Sequence, residues 1–118
     1  MVIQKAEITN KPWGVEELLV KTKSYAVKKI TIEPGKRMSL QYHEIKEETI
    51  HVISGALIVW KSEKLEDHVV VMPGNTYHVA PKAVHRFGSV DQFETVILEC
   101  STTELEDVVR LADDYHRN

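Results

Sequence analysis

Two histidines, a glutamine and a glutamate stand where a β-rich chain could bring them together. Gln41 and His43 are separated by the single residue Tyr42. In an extended strand, residues two apart project from the same face. Glu48 follows beyond a charged turn of Glu44, Lys46 and Glu47, at the start of another apolar stretch. His85 belongs to a later stretch, after the turn signal Pro73-Gly74. If the shared face is the inside of a barrel, all four side chains enter one cavity. Two imidazoles, a carboxylate and an amide oxygen suit a borderline divalent ion, zinc first, with manganese, iron, cobalt or nickel as the other candidates. The carboxylate cancels one unit of metal charge and leaves a cationic centre able to polarise a substrate carbonyl or hydroxyl. A histidine in a strand is more often a surface or hydrogen-bonded residue than a ligand. The assignment therefore rests on the pattern around the four residues, not on any one of them.

The elements that must position them read as strands. Apolar residues come in short runs rich in β-branched side chains and are split by turn signals. Glu17–Lys21, Tyr25–Glu33, Met38–His43, Thr49–Ser54, Ala56–Lys61, His68–Met72, Thr76–Val79, Val84–Phe87 and Phe93–Ser101 are the candidates. Thr49–Ser54 and Ala56–Lys61, joined by Gly55, read as a hairpin with a tight turn. So many short strands predict an all-β sandwich or barrel, of which the jelly roll is one form. Thr103–Tyr115 carries helical spacing at Leu105, Val108, Val109 and Ala112, with Thr103 as an N-cap, so a short C-terminal helix is expected there.

Composition narrows the class. With 118 residues, there is room for one domain, taken as 1–118. A hydrophobic fraction of 42% and a charged fraction of 28% are ordinary for a globular chain, and a net charge of −3 leaves no basic footprint for nucleic acid. No apolar run approaches the roughly 20 residues of a membrane-spanning helix, and the N-terminus lacks the pattern of a secretory leader. Cys100 is the one cysteine, which excludes an internal disulfide and fits a reducing cytoplasm. A cytoplasmic protein with a small-molecule substrate, without a nucleic-acid or membrane partner, is the expectation.

The spacing of these residues resembles the cupin superfamily at two motifs. The first runs Gly, five residues, His-x-His, three or four residues, Glu, six residues, Gly. Here it is Gly35, KRMSL, Gln41-Tyr42-His43, EIKE, Glu48, TIHVIS, Gly55, with Gln41 in place of the first histidine. The second runs Gly, five residues, Pro-x-Gly, two residues, His, three residues, Asn. Here Gly74 and His85 match, whereas Ala80, Lys82 and Ser89 replace the Pro, Gly and Asn. Lys82 in the glycine position suggests a turn that does not need a positive φ. The string SLQYH resembles the cupin domain of type II phosphomannose isomerases, in which that glutamine is read as a ligand. Lys11-Pro12-Trp13-Gly14, Val27-Lys28, Leu98-Glu99 and the closing Glu106–Arg110 and Asp113–Arg117 segments resemble other parts of the same family. Lys46 stands where the family has Arg, Thr49-Ile50 where it has an aromatic, and His116 where it has Gly in a closing Tyr-Gly-Arg. What the resemblance implies is a jelly-roll cupin, a homodimer, and a metal-dependent aldose–ketose isomerase acting on a phosphorylated sugar. The nucleotidyltransferase domain that many long relatives carry is absent from this stretch, so no guanylyltransferase activity is expected of it.

An isomerase of this type needs a base and fixed cations for phosphate. Glu99 is the candidate base. Lys28 shares a strand face with Ala26, Ile30 and Ile32 and is the candidate internal cation; Arg117 is added by the closing-motif resemblance. Arg37, Lys46, Arg86 and Arg110 are weaker candidates for the same role, since most arginines on small domains are surface residues. Parity places His51 outside the barrel and leaves His78 undecided. Trp13 and Trp60 read as packing anchors; Tyr25, Tyr77 and Phe87 read as pocket-lining or core residues. Cys100 reads as a small buried hydrophobe. Two alternatives stand beside the isomerase: a metal cupin of another class, such as a dioxygenase, and a non-catalytic sugar- or metabolite-binding module.

Overall fold

The structure, a computed structural model, describes residues 3–117. Eleven strands are present among them, and no helix. They are β1 (Glu7–Lys11), β2 (Gly14–Lys21), β3 (Ala26–Ile32), β4 (Leu40–Tyr42), β5 (Glu48–Ser54), β6 (Leu57–Trp60), β7 (His68–Val71), β8 (Thr76–Val79), β9 (Arg86–Ser89), β10 (Thr95–Ser101) and β11 (Val109–Ala112). One antiparallel sheet runs β1-β2-β3-β10-β5-β8. A second runs β7-β6-β9. Isolated bridges Arg37↔Gly88 and Gln41↔His85 carry the second sheet on to the β4-β11 pair. The two layers face each other across the core, as in a jelly roll.

The alternation that the sequence shows is what builds this core. In β3, Ala26, Lys28, Ile30 and Ile32 are buried while Lys29 is exposed. In β5, Glu48, Ile50 and Val52 are buried; in β10, Thr95, Ile97, Glu99 and Ser101 are. Trp13, Leu57, Val59, Val79 and Phe87 close the apolar cluster from the other elements. Each fully buried Ile or Leu contributes about 1.5–3 kcal/mol of transfer free energy. The charged inward residues Lys28, Glu48 and Glu99 collect toward one end of these strands, while Ile30, Ile32, Val52 and Ile97 pack toward the other.

Three expectations are corrected. The segment after Thr103 forms turns and then β11, which pairs with β4 at Val109↔Tyr42 and Arg110↔Gln41. Helical spacing was present, but the adjacent β-branched Val108 and Val109 suit a strand, and the free edge of β4 supplies the hydrogen-bond partners that decide it. β5 and β6 are not a hairpin: β5 lies between β10 and β8, β6 between β7 and β9. Gly55, at φ +83°, carries the chain from one layer to the other. A Cβ there would press on the Glu94 carbonyl and come within 2.7 Å of Thr95 Cα. Cys100 is exposed. Residues alternate in β10, so the burial of Glu99 turns Cys100 outward. β1 and β11 were not among the predicted strands.

Candidate metal centre and its pocket

Sheet register places the candidate ligands. Gln41 and His85 are directly opposed, each accepting the other's backbone N–H at 2.9 Å. Opposed residues project from the same face, and that face is the barrel interior. His43 follows two residues on, at the end of β4, and is 3% exposed. Glu48 opens β5; it lies diagonally from Glu99, because Glu99 opposes Ile50. Glu99 in turn opposes Lys28. Four strands thus deliver Gln41, Glu48, Glu99 and Lys28 to one space.

The ligand atoms of His43, Glu48 and His85 all lie within 4.8 Å of one another. His43 Nε2 is 2.7 Å from Glu48 Oε1, and His85 Nε2 is 4.0 Å from it. Both separations fit inside twice a metal–ligand bond, about 4.2 Å. The ring tautomers follow from the partners on the other side. His43 Nδ1 donates to the Asp107 carbonyl at 2.6 Å, and His85 Nδ1 donates to the Ala83 carbonyl at 2.9 Å. A carbonyl only accepts, so these protons sit on Nδ1 and each Nε2 presents a lone pair. His43 Nε2, His85 Nε2 and Glu48 Oε1 are buried with no hydrogen-bond partner. A cation among them would satisfy acceptors crowded in this way, and the donor set suits a divalent ion. Gln41 is buried and lines the same cavity; Ser39 Oγ donates to its Oε1 at 3.2 Å, which fixes the amide's orientation.

Turn chemistry sets the histidines. Lys82 has φ +69°, contrary to expectation. The Ala83 N–H bonds to the Ala80 carbonyl, with Pro81 second and Lys82 third in the turn, and the type II turn demands a positive φ at the third place. The Lys82 N–H donates to the His43 carbonyl at 2.6 Å. One strained residue therefore ties the His85 turn to the His43 strand.

Electrostatics divides the carboxyls. Burial alone would raise Glu48, but a hydrogen bond from His43, when that ring is protonated, and the nearby Lys46 ammonium outweigh it and hold the carboxyl below its ordinary value. Glu99 is pushed up, by burial first and the Glu48 charge second, against the pull of Lys46. Burial pushes the His85 imidazole down, which keeps it neutral and ready to ligate. Lys46 Nζ sits 3.6 Å from Glu48 and 3.5 Å from Glu99; burial would lower it, but the two carboxyls raise it.

Gln41, His43, Lys46, Glu48 and Glu99 line a cavity of about 120 Å³, with His85 packed beside Glu48. Lys28 also lines it, inward as expected, with its ammonium 3.0 Å from Glu16 Oε1. Arg117 reaches the rim, held by Asp113 through Nε at 2.9 Å and Nη2 at 3.2 Å. Burial would raise Asp113, but bonds from Arg117 bring it down to about 2. His51 and His78 point outward, bonded to Thr76 and Thr49. Tyr25 is exposed, and Trp13 and Phe87 are core. Trp60 lies under Arg37, whose guanidinium is 5.6 Å from the ring.

Sequence reasoning set aside two cavity residues. Lys46 is 5% exposed between the carboxyls, and Arg110 lines the cavity beside Gln41. The signal for Lys46 was its place two residues before Glu48, where the resembled family keeps a cation. Arg110 was hidden by the helical reading of its segment.

Comparison with known proteins agrees with this geometry. The first curated relative, the xanthan biosynthesis protein XanB of Xanthomonas campestris pv. campestris, is 29% identical over 111 residues, covering 91% of this chain and 23% of its own. A mannose-1-phosphate guanylyltransferase of Salmonella muenchen is 32% identical over 72 residues, 58% of this chain and 15% of its own. The chain thus spans less than a quarter of the length of these relatives. Among solved structures, a Klebsiella pneumoniae protein with a double-stranded β-helix domain superposes with a TM-score of 0.73 at 13% identity, covering 96% of this chain and 86% of that one, a likeness of fold. The family model described as mannose-6-phosphate isomerase C-terminal matches residues 2–113. By that match, and by its all-β cupin architecture, the chain belongs to the mannose-6-phosphate isomerase C-terminal family.

Proposed function

We propose that this chain is a metal-dependent sugar-phosphate isomerase-like cupin, acting on substrates of the mannose 6-phosphate/fructose 6-phosphate type. The observation that carries the reading is the convergence of two imidazole lone pairs and a carboxylate beside a cavity that also holds a second carboxyl and several cations. Gln41, His43, Glu48 and His85 would hold a divalent ion, zinc first, which supplies Lewis-acid polarisation of the substrate oxygens. Glu99 is the proton carrier. Its raised pKa lets it take the C2 proton and return it to C1 near neutral pH. Lys46, between Glu99 and Glu48, compensates the charge as that proton comes and goes. Lys28 and Arg117 anchor the phosphate. Both have carboxylate partners already, Glu16 and Asp113, so binding exchanges one anion for another. The cytoplasmic setting and the homodimer implied by the family resemblance are part of the proposal.

The test is interconversion of mannose 6-phosphate and fructose 6-phosphate by protein loaded with Zn²⁺, Mn²⁺ or Co²⁺. Turnover that Glu99→Gln lowers at least 100-fold, with the metal retained, supports the assignment. Saturable binding of the sugar phosphate without interconversion would reduce the chain to a sugar-binding module. Turnover unaffected by Glu99→Gln would remove Glu99 as the base.

A further inference from the structure

Asp107 lies in the irregular stretch between β10 and β11, and it grips the metal-centre loop in two ways. Its carboxylate accepts three successive backbone N–H groups, from Glu44 at 3.1 Å, Ile45 at 2.8 Å and Lys46 at 3.0 Å. Its carbonyl accepts His43 Nδ1–H at 2.6 Å. The three amides immediately follow His43 and precede Glu48 in the chain. One residue thus clamps the loop joining two candidate ligands and sets the ring of the first.

We propose that Asp107 is a positioning residue: its carboxylate docks the 103–108 stretch on the 44–46 loop, which brings its own carbonyl to His43 and keeps that imidazole in the tautomer whose Nε2 faces the cavity. The reasoning is physical. A histidine ligand is commonly aligned through its second nitrogen, and loss of that partner weakens metal binding about 10–100-fold. Here the partner is a main-chain carbonyl just outside the sheet, two residues before the β11–β4 pairing begins at Val109↔Tyr42. At its other end the segment is tied to the loop by Thr102, whose N–H bonds to the Glu47 carbonyl and whose hydroxyl accepts the Glu47 N–H, both at 3.0 Å. Loss of the carboxylate loosens the stretch that is left between the Thr102 contacts and the β11–β4 pairing at Val109↔Tyr42, and the Asp107 carbonyl lies in that stretch. Leu105 and Val108 of the same stretch line the cavity, so the clamp also sets that wall.

This inference rests on the reading of His43 as a ligand, and its experiment separates the two. In the metal-free protein, ¹⁵N chemical shifts report the His43 tautomer; in a zinc titration, calorimetry reports affinity. Asp107→Ala is expected to change His43 from one Nδ1–H tautomer to a mixture and to weaken zinc binding 10–100-fold, with Tm moving in proportion to neither. Should Asp107→Ala not fold, Asp107→Asn, which keeps one accepting oxygen, is read the same way with a smaller change. An unchanged tautomer, with zinc affinity within twofold of the parent, overturns the proposal. A parent protein that binds no zinc, but whose His43 tautomer is scrambled by the variant, upholds the clamp and overturns the ligand reading instead.

Discussion

At the scale of single residues, the site is a problem in charge. Lys46, Glu48 and Glu99 are each at most 5% exposed, and each depends on the others. Removing one member of a buried ion pair typically costs about 3–5 kcal/mol, because an uncompensated charge is left behind. Lys46→Met is therefore expected to destabilise the metal-free protein by about 3 kcal/mol, measured by urea unfolding. The double variant Lys46→Met/Glu99→Gln should recover part of that loss. Equal stability of the single variant and the parent would show that Glu48 and Glu99 do not need the ammonium. The surroundings of the ligands were open to sequence reasoning for a specific reason. Gln41 and His43 share strand parity, and Glu48 and His85 fall at the spacing of a recognised motif. Glu99 and Cys100 were harder, because the apolar parity of β10 (Val96, Leu98, Cys100) reads as the inward one, whereas its pairing with β3 and β5 turns the mixed parity of Ile97 and Glu99 inward.

At the scale of elements, two glycines separate strain from crowding. Gly55 (φ +83°) and Gly74 (φ +88°) both require the left-handed region. A Cβ on Gly74 meets nothing within 4 Å, whereas one on Gly55 meets the β10 backbone. Gly74→Ala should cost only the backbone penalty, about 1–2 kcal/mol. Gly55→Ala should cost clearly more, and chemical denaturation of the pair reads the difference. Equal losses would mean that the crossing between layers is not tightly packed. The C-terminal segment supplies the pH dependence. Folded Asp113, at about 2, lies below its unfolded value of about 3.9, so its contribution is whole above that value and is lost as pH falls through 2. Asp113→Asn should therefore narrow the stability gap between parent and variant as pH drops from 5 to 2, followed by acid-unfolding curves. This segment is also where sequence reading failed. Leu105, Val108, Val109 and Ala112 have helical spacing, and nothing local reveals that β4 has an edge to fill or that Arg37 and Arg86 would hold Asp114 and the Ala112 carbonyl.

At the scale of the whole molecule, both layers of the barrel send charged side chains to one end of its interior, where the proposed ion would sit. The strands of both layers contribute to that polar end, so an ion there links the layers across the core. A ligand that binds only the folded state adds about 2.7 kcal/mol of stability at 100 times its dissociation constant. Zinc should accordingly raise Tm, and a chelator should reverse the rise. No helix among the described residues is long and apolar enough to cross a membrane. The most direct measurement of the central claim is anomalous diffraction from crystals grown with zinc, collected on both sides of the zinc edge. The account predicts one peak, about 2.0–2.2 Å from His43 Nε2, His85 Nε2 and a Glu48 oxygen. Peaks confined to the surface histidines, with the two buried imidazoles bonded to protons alone, would contradict it.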